Sequence, residues 1–115
     1  MIKVEAVVVR EKVEEVMDAV TDRTGHVGVT VLEAVGHGRQ PGITHEYRGR
    51  VFESRFLPKA LLVFVVEDER AEAVVETIVE TARTGHESGD GIVWTTPVFG
   101  VMHHRTARPL EEVGV

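Results

Sequence analysis

The order of apolar and polar residues predicts four β-strands and an extended tail. Residues 2–9, "IKVEAVVV", alternate at first and then run apolar, and residues 27–35, "VGVTVLEAV", have a similar make-up. Residues 59–66 include seven consecutive apolar positions. Runs of β-branched and aliphatic residues are typical of strands. A short strand near 91–95 and the tail, 98–105, complete the pattern.

Two amphipathic helices separate these strands. In the first helix the apolar residues are spaced at i, i+3, i+4 and i+7 and form one stripe, Val13, Val16, Met17 and Val20. Gly25 lies where this helix should end. The second helix should have Asp68 as its N-cap, Arg83 in its last turn and Gly85 at its end. Its stripe is Ala71, Val74, Val75, Ile78, Val79 and Ala82.

The resulting order, βαββαβ, is that of α+β domains with the ferredoxin-like fold, in which both helices lie on one face of an antiparallel sheet. Residues 61–66 are apolar on both faces of their strand, and such runs occur where both faces are covered. Two helices cover only one face. We therefore expect another copy of the chain to cover the other face, in a homo-oligomer whose clefts between subunits are available as ligand sites.

The composition fits a single domain, residues 1–115, with a C-terminal tail from about 106 to 115. A chain of 115 residues with 43% hydrophobic residues can bury a core, and the absence of cysteine excludes disulfides, thiolate zinc sites and cysteine nucleophiles. The first residues lack the pattern of a secretion signal, and no apolar run approaches the ~18 residues of a membrane span, so we expect a cytoplasmic protein. The net charge of −6 disfavours nucleic acid as a partner.

One connection is too long for a compact domain. Residues 36–55, here called the long loop, exceed the roughly 12–15 residues beyond which structureless connections are usually functional or disordered. The segment is locally basic in an acidic protein, with cations at Arg39, Arg48, Arg50, Arg55 and, just beyond, Lys59. This pattern is typical of a segment that binds a small anion or an acidic partner surface. Solvated charges on a surface loop explain it about equally well.

The long loop begins with "GHGRQ", residues 36–40, which does not match the dinucleotide fingerprint because Pro41 stands where the third glycine should be. The backbone at Gly36 and Gly38 can still approach a ligand closely, beside the Arg39 guanidinium and the Gln40 amide. A turn with solvated side chains is the simpler interpretation of this segment taken alone.

A second glycine-rich segment, residues 84–91, is here called the glycine loop. Its sequence, "TGHESGDG", follows the second helix, and its glycines can expose successive amides to an anion. A helix-ending turn explains Gly85 equally well.

The spacing of titratable residues gives little support for metal or acid–base chemistry. None of the six histidines has a histidine partner at i+2, i+3 or i+4, and adjacent histidines such as His103 and His104 point to opposite faces of a strand. The acidic residues 67–69 lie at a helix start, where carboxylates usually act as caps or dipole partners. The aromatic content of 5% argues against an RNA-binding sheet surface.

Four motifs follow one another in order: "GHGRQPGITHEYRG" at 36–49, "FLPK" at 56–59, "ARTGHESGDG" at 82–91 and "HRT" at 104–106. At these separations they resemble the PII nitrogen-regulatory signal transduction family, and the resemblance covers nearly the whole chain. The resemblance implies a ferredoxin-like homotrimer with nucleotide sites in the clefts between subunits. It also implies that the long loop projects from the trimer and docks on target proteins.

The resemblance further implies roles by position. The ligand would be an adenine nucleotide, either ATP or ADP, with AMP as an alternative. Its binding site would be lined by Thr30, Gly36, His37, Gly38 and Arg39. Gln40 would help to hold Mg²⁺ and 2-oxoglutarate, and Lys59 would meet an oxoglutarate carboxylate. The backbone of the glycine loop would hold the phosphates, with contributions from Gly85, Gly89, Asp90, Gly91 and, towards the C-terminus, His103 and Arg105, the latter reaching from a neighbouring subunit.

Three positions depart from the family pattern: Ile92 replaces a phosphate-binding lysine, His103 replaces the first of two arginines, and Phe52 replaces a loop tyrosine that is uridylylated in many members, which leaves Tyr47 as the only tyrosine. One extra residue also precedes the "GDG". A hydrogen bond to a charged group contributes about 1.5–3 kcal/mol, so each lost cation should weaken phosphate binding roughly ten- to a hundredfold. We therefore expect weak ATP binding or a preference for ADP or AMP, and stronger binding when His103 is protonated below neutral pH.

The function implied by the resemblance is that of a non-enzymatic sensor of adenine nucleotides and 2-oxoglutarate, which regulates nitrogen-metabolism enzymes or a membrane transporter through the long loop. The alternative is a PII-like sensor that prefers ADP or AMP and takes a different second ligand, for example bicarbonate, in inorganic-carbon or other transport. A slow nucleotide hydrolase and a structural oligomer with a degenerate site are two further alternatives.

Overall fold

The apolar runs of the sequence form the strands of one antiparallel sheet in a computed structural model, which describes residues 1–37, 43–54, 56–85 and 90–114. A 3-10 turn, Arg10–Lys12, joins the first strand to the first helix. The strands and helices in chain order are β1 (Ile2–Val9), α1 (Val13–Thr24), β2 (Thr30–Gly36), β3 (Ile43–Tyr47), β4 (Arg50–Ser54), β5 (Leu57–Val66), α2 (Asp68–Ala82), β6 (Ile92–Pro97), β7 (Met102–His103), β8 (Arg108–Pro109) and α3 (Leu110–Val113).

The central sheet has the strand order β2-β5-β1-β6, and each neighbouring pair is antiparallel. The two apolar strands β1 and β5 lie in the middle, and β2 and β6 form the edges. With α1 between β1 and β2 and α2 between β5 and β6, this is the predicted ferredoxin-like topology, which is therefore confirmed.

The core lies between the sheet and the two long helices. Side chains alternate between the two faces of a strand, so the even-numbered residues of β1 from Val4 to Val8 and of β5 from Ala60 to Val66 share one face, and all of these are buried. They pack with the buried stripe of each helix in one cluster, which consists of Val4, Ala6, Val8, Val16, Val20, Ala60, Leu62, Phe64, Val66, Val74, Ile78 and Ala82. Both predicted helical stripes thus face the sheet, except for Val79 of α2.

The helix ends differ in part from the sequence predictions. Gly25 is the predicted C-cap of α1, with a φ of 76° and its N–H bonded to Thr21 O at 2.9 Å. Asp68 was expected to cap α2, but the N-cap is Glu67 and Asp68 is the first helical residue. The Asp68 Oδ1 atom instead lies 2.9 Å from the α-amino nitrogen of Met1, and this hydrogen bond raises the pKa of that α-ammonium.

The C-terminal end of α2 was also predicted wrongly. The helix ends at Ala82, so Arg83 lies beyond the last turn in an extended conformation and Gly85 does not terminate the helix. Within the helix Val79 is exposed, whereas Thr77 is buried, and its hydroxyl donates to Ala73 O at 2.7 Å. A threonine can satisfy its hydroxyl within the helix, and this removes most of the cost of burying it.

The segment 98–105 was expected to be extended, but it belongs to a compact tail. β7 and β8 form a short hairpin in which the Ala107 N–H donates to His103 O at 2.8 Å. The Leu110 N–H, at the start of α3, donates to Val101 O at 2.8 Å. These two bonds reverse the chain, and within the segment predicted to be extended only Met102–His103 forms a strand.

The sheet face opposite the helices, called the outer face, is also apolar. It carries Leu32, which is 47% exposed, Trp94, which is 38% exposed, and Ile92, which is 68% exposed, with the half-buried Val7, Leu61, Val63 and Val65. The predicted second apolar face is therefore present, and its cover by another copy of the chain stays a prediction. Within the described residues, no helix combines the length and the apolar character that crossing a membrane requires.

Candidate functional site

Three predicted features meet at one end of the sheet, where β1 finishes. Lys59 of β5 is paired with Val9, the last residue of β1, and Gly36 ends the edge strand β2 on the far side of β5. On the other side of β1, β6 begins at Ile92, opposite Val7. The base of the long loop, Lys59 and the end of the glycine loop therefore share this end of the sheet.

Lys59 is the buried cation of this site. The residue is only 6% exposed, and its aliphatic stem lies against Gly36. A Cβ added to Gly36 would lie 2.9 Å from Lys59 Cγ and 3.2 Å from Lys59 Cε, which is too close for normal packing. The glycine thus leaves the space that the lysine stem occupies, and the stem is held in one place beside the long loop.

The base of the long loop is closed by two rings. His37 and Phe56 lie just beyond the last strand pair, Gly36 with Leu57, and their ring centroids are 5.9 Å apart. His37 is therefore near the predicted ligand residues Gly36 and Lys59. The remaining ligand residues predicted in this loop lie outside the described residues, namely Gly38, Arg39 and Gln40.

The middle of the long loop is a β-hairpin, which the sequence analysis missed. β3 and β4 pair from Ile43 with Ser54 to Tyr47 with Arg50. The two turn residues, Arg48 and Gly49, have φ values of 52° and 75°, as a two-residue turn of type I′ requires. The signal was present in the sequence as a glycine at the second turn position. The turn and Arg50 are exposed, so the long loop presents two arginines at its tip.

The two ends of the glycine loop are tied together. The Thr84 hydroxyl donates a hydrogen bond to Asp90 Oδ1. Gly91 has a φ of 102°, and a Cβ there would lie 1.9 Å from Val7 O, so the loop ends in direct contact with the backbone of β1. Gly85 also has a positive φ, of 85°. Gly89 lies outside the described residues.

Ile92 follows the glycine loop at the position where the family pattern has a lysine. Its side chain is largely exposed on the outer face, and the residue is among those that line a cleft of about 170 Å³ next to α2. The lining is mostly apolar and includes Val8, Ile78 and Ala82, with Arg83 and Asp90 as its two charged residues. Residue 92 therefore places an aliphatic side chain next to the glycine loop, where a lysine would place an ammonium group.

Thr30 lies further along the same pair of strands. It is paired with Val63, four residue pairs from the pair of Ala34 with Lys59, which is about 13 Å along the ladder at roughly 3.3 Å per residue. Thr30 and Val63 border an open cleft of about 250 Å³ together with His26, Gly28, Val29 and Val65.

His26 is a buried residue that the sequence analysis did not single out. Its Nε2 atom lies 2.6 Å from Gly28 O, and its ring packs edge-on against Phe64 with 6.0 Å between centroids. These contacts hold the connection between α1 and β2 in place, and Thr30, the first residue of β2, follows directly after that connection.

His103 and Arg105 are not part of this end of the sheet within one chain. β6 runs away from the glycine loop and ends at Pro97, opposite Ile2, so the tail leaves from the other end. There the Arg105 N–H donates to His103 Nδ1 at 3.2 Å. Arg105 is exposed and available to a neighbouring molecule.

The chemistry offered is that of an anion-binding site. A buried ammonium, a hydroxyl and a glycine-rich backbone lie around one end of the sheet, at Lys59, Thr84 and Gly91. Among the residues that the structure describes, no group of three His, Asp or Glu residues is placed to hold a metal ion.

Comparison with known proteins connects this geometry to one family. The family model of the nitrogen regulatory protein P-II matches residues 1–108. The nitrogen regulatory protein P-II 2 of Methanothermobacter thermautotrophicus is 44% identical over 106 residues, which are 92% of this chain and 90% of that protein. A P-II protein of Microchaete diplosiphon is 44% identical over 92% of this chain and 93% of its own length. A P-II protein of Pasteurella multocida is 39% identical over 97% of this chain and 98% of its own.

These matches confirm the resemblance read from the motifs, and they extend across the sheet, both long helices and the candidate site. The relatives are named as regulatory proteins. The chain therefore belongs to the nitrogen regulatory protein P-II family of signal transduction regulators.

Proposed function

We propose that this protein is a trimeric, non-enzymatic sensor of adenine nucleotides, ATP or ADP, together with 2-oxoglutarate, and that it controls an enzyme or a membrane transporter through the long loop. The observation that carries the proposal is the meeting of the long-loop base, the buried Lys59 and the end of the glycine loop at one end of the sheet. A ligand bound at this end of the sheet would contact the base of the long loop, which is the segment that would bind the partner protein.

The donors at this end suit a nucleotide with its anionic groups near β1. Lys59 supplies a fixed cation, and the glycine loop supplies backbone amides, which together favour phosphate or carboxylate oxygens. The cleft at Thr30, with the apolar walls of Val63 and Val65, suits the adenine ring. The two places are about 13 Å apart along β2 and β5, so one elongated ligand can reach both.

Mg²⁺ would be held chiefly by the phosphates and by the side-chain oxygen of Gln40. Magnesium usually keeps several waters and takes few protein ligands beside nucleotide phosphates, so one amide oxygen is a sufficient protein contribution. Bound with the nucleotide, it would supply a positive charge for the 2-oxoglutarate carboxylate that Lys59 also meets.

The trimer is supported by the outer face. Leu32, Trp94 and Ile92 expose apolar surface on the side of the sheet without helices, which favours burial against copies of the chain. Arg105, which lies in the tail at the far end of the sheet, would reach the phosphates of a neighbouring subunit in such an assembly.

Signalling then follows from differential binding. Gly36 and His37 belong both to the ligand site and to the base of the long loop, so a bound ligand favours the loop conformation to which it binds more tightly. The hairpin carries that preference to its arginine tip, which would meet an acidic or carbonyl-rich surface of the partner.

A second candidate function is favoured by Ile92 and His103. Both stand where the family pattern has a cation, and Ile92 is exposed next to the glycine loop. A site with two fewer cations loses most at the outer phosphates. The protein would then prefer ADP or AMP, with a second ligand such as bicarbonate.

The test is a panel of ATP, ADP and AMP, each with and without Mg²⁺, 2-oxoglutarate and bicarbonate, measured by thermal shift and by calorimetry. At a ligand concentration of 100 Kd, stabilisation should be about 2.7 kcal/mol. Lys59→Met should remove the added effect of 2-oxoglutarate, and Lys12→Met is the control because Lys12 pairs only with Glu15 in the described contacts, at 3.1 Å. The absence of any shift with millimolar adenine nucleotide would contradict the proposal.

A further inference from the structure

Arg10 connects three elements at the base of the long loop. It is the first residue of the 3-10 turn that follows β1. Its Nη2 atom lies 3.2 Å from Ala34 O and 3.4 Å from Lys59 O. Ala34 of β2 is paired with Lys59 of β5, and β2 and β5 are the strands that enter and leave the long loop. The junction of these two strands from this pair to the pair of Gly36 with Leu57 is here called the seam, and a single guanidinium nitrogen bridges it.

We propose that Arg10 is a positioning residue that holds this seam closed and thereby fixes Lys59 and the base of the long loop. The part of the inference that concerns the ligand rests on the proposed function. The part that concerns the seam rests only on the contacts of Arg10.

The seam is where the sheet is easiest to open. β2 is an edge strand, and Gly36 is its last paired residue, two pairs beyond Ala34. The end of an edge strand opens more readily than the middle of a sheet, because fewer contacts hold it. Two hydrogen bonds from a third element therefore matter more here than they would at the centre of β5.

Closing the seam also sets the direction of Lys59. The stem of Lys59 lies against Gly36, at a distance that leaves no room for a Cβ. If β2 moves away from β5, Gly36 moves with it and the stem loses the surface that holds it. The ammonium group then no longer has one position relative to Gly36 and His37.

Removing Arg10 would have two effects, on hydrogen bonding and on local charge, and the experiment must separate them. Arg10 borders an open cleft of about 400 Å³ together with Glu11, Glu14 and Glu33. Removing the arginine therefore removes both the bridge and a positive charge beside three carboxylates. A lysine keeps the charge, but its single ammonium lacks the planar fork of the guanidinium, so Arg10→Lys separates the two effects.

The experiment is native-state hydrogen exchange on the full chain, read for the backbone amides of residues 33–36 and of Leu57, Lys59 and Ala60, since Pro58 has no N–H. In Arg10→Ala we expect exchange of these amides to accelerate about three- to tenfold. The variant loses two charge-assisted hydrogen bonds, and their contribution is reduced because they are partly exposed to solvent. Exchange in α2 should stay unchanged. Arg10→Lys should accelerate the same amides, because the charge alone does not bridge the seam.

Arg23→Ala is the matched control. Arg23 is also an exposed arginine, and it pairs with Glu80 across the two helices, away from the long loop. The inference is overturned if Arg10→Ala leaves the two segments at the wild-type rate, if Arg23→Ala accelerates them equally, or if Arg10→Lys exchanges like the wild type.

The ligand arm uses calorimetry with MgATP and 2-oxoglutarate. Arg10→Ala should weaken 2-oxoglutarate binding about three- to tenfold while changing nucleotide affinity less, since Lys59 is the residue that it positions. Unchanged 2-oxoglutarate affinity in a protein with an opened seam would overturn the link between Arg10 and the site. If the wild type binds neither ligand, the proposed function fails, and the exchange experiment still decides whether Arg10 holds the seam.

Discussion

Replacing Gly91 by alanine should be one of the most damaging single substitutions in this protein. Gly91 has a φ of 102°, and the added Cβ would lie 1.9 Å from Val7 O. The left-handed region costs an L-residue about 1–2 kcal/mol. Real Cβ contacts are essentially never below 3.0 Å, so the glycine loop and β1 must also move apart by about 1.1 Å, the difference between the two distances.

This movement would separate Ile92 from Val7, which is the first residue pair between β6 and β1. It would weaken the hydrogen bonds at that pair, each of which contributes about 1 kcal/mol. We therefore expect a loss of about 3–5 kcal/mol in the free energy of unfolding. For a chain of this length the melting temperature should fall by roughly 10–25 °C.

Gly100→Ala is the control for this prediction. Gly100 has a φ of 67°, and no atom lies within 4 Å of its added Cβ, so this variant carries the backbone strain without the collision. It should lose only about 1–2 kcal/mol. Urea unfolding of both variants at one protein concentration makes the comparison. Equal destabilisation of the two would refute the argument that the glycine loop packs directly on β1.

Three further substitutions test the core, the outer face and the glycine loop. Leu62→Ala, at the fully buried centre of β5, should lower the free energy of unfolding by about 2–5 kcal/mol, and a loss below 1 kcal/mol in urea unfolding would contradict this. Leu61→Glu, on the half-buried outer face next to it, should shift sedimentation towards a folded monomer, whereas an intact oligomer would count against burial of that face. Thr84→Val removes the hydrogen bond to Asp90 and should cost about 1 kcal/mol and weaken nucleotide binding in calorimetry, while Thr96→Val on the exposed part of β6 should change neither.

The fold could be predicted because its signals are local and repeated. Alternation along β1, the apolar run of β5 and the stripes of both long helices each specify one element, and together they allow few topologies. The helix ends were less predictable. Asp68 fits a cap by residue type, but the Met1 α-amino group, distant in sequence, determines its actual contact.

The site was predictable only where motifs marked it. Gly36, Lys59 and Gly91 all lie in the motifs that the sequence analysis identified, and the structure brings them to one end of the sheet. The role of Arg10 was not visible, because its partners are backbone carbonyls 24 and 49 residues away and carry no side-chain signature. The long-loop hairpin was missed because charged residues obscure its alternation, and only the glycine of its turn marks it.

The two-residue turn of the long loop has a mechanical consequence. A turn with two positive φ angles allows one register between β3 and β4, so the five paired residues on each strand form a stiff arm of about 16 Å. By simple leverage, a tilt of about ten degrees at the open end of the arm sweeps Arg48 through about 3 Å, which is the length of a hydrogen bond. A small tilt where the hairpin begins, at Ile43 and Ser54, would therefore decide whether the Arg48 guanidinium reaches a hydrogen-bond acceptor on a docked protein.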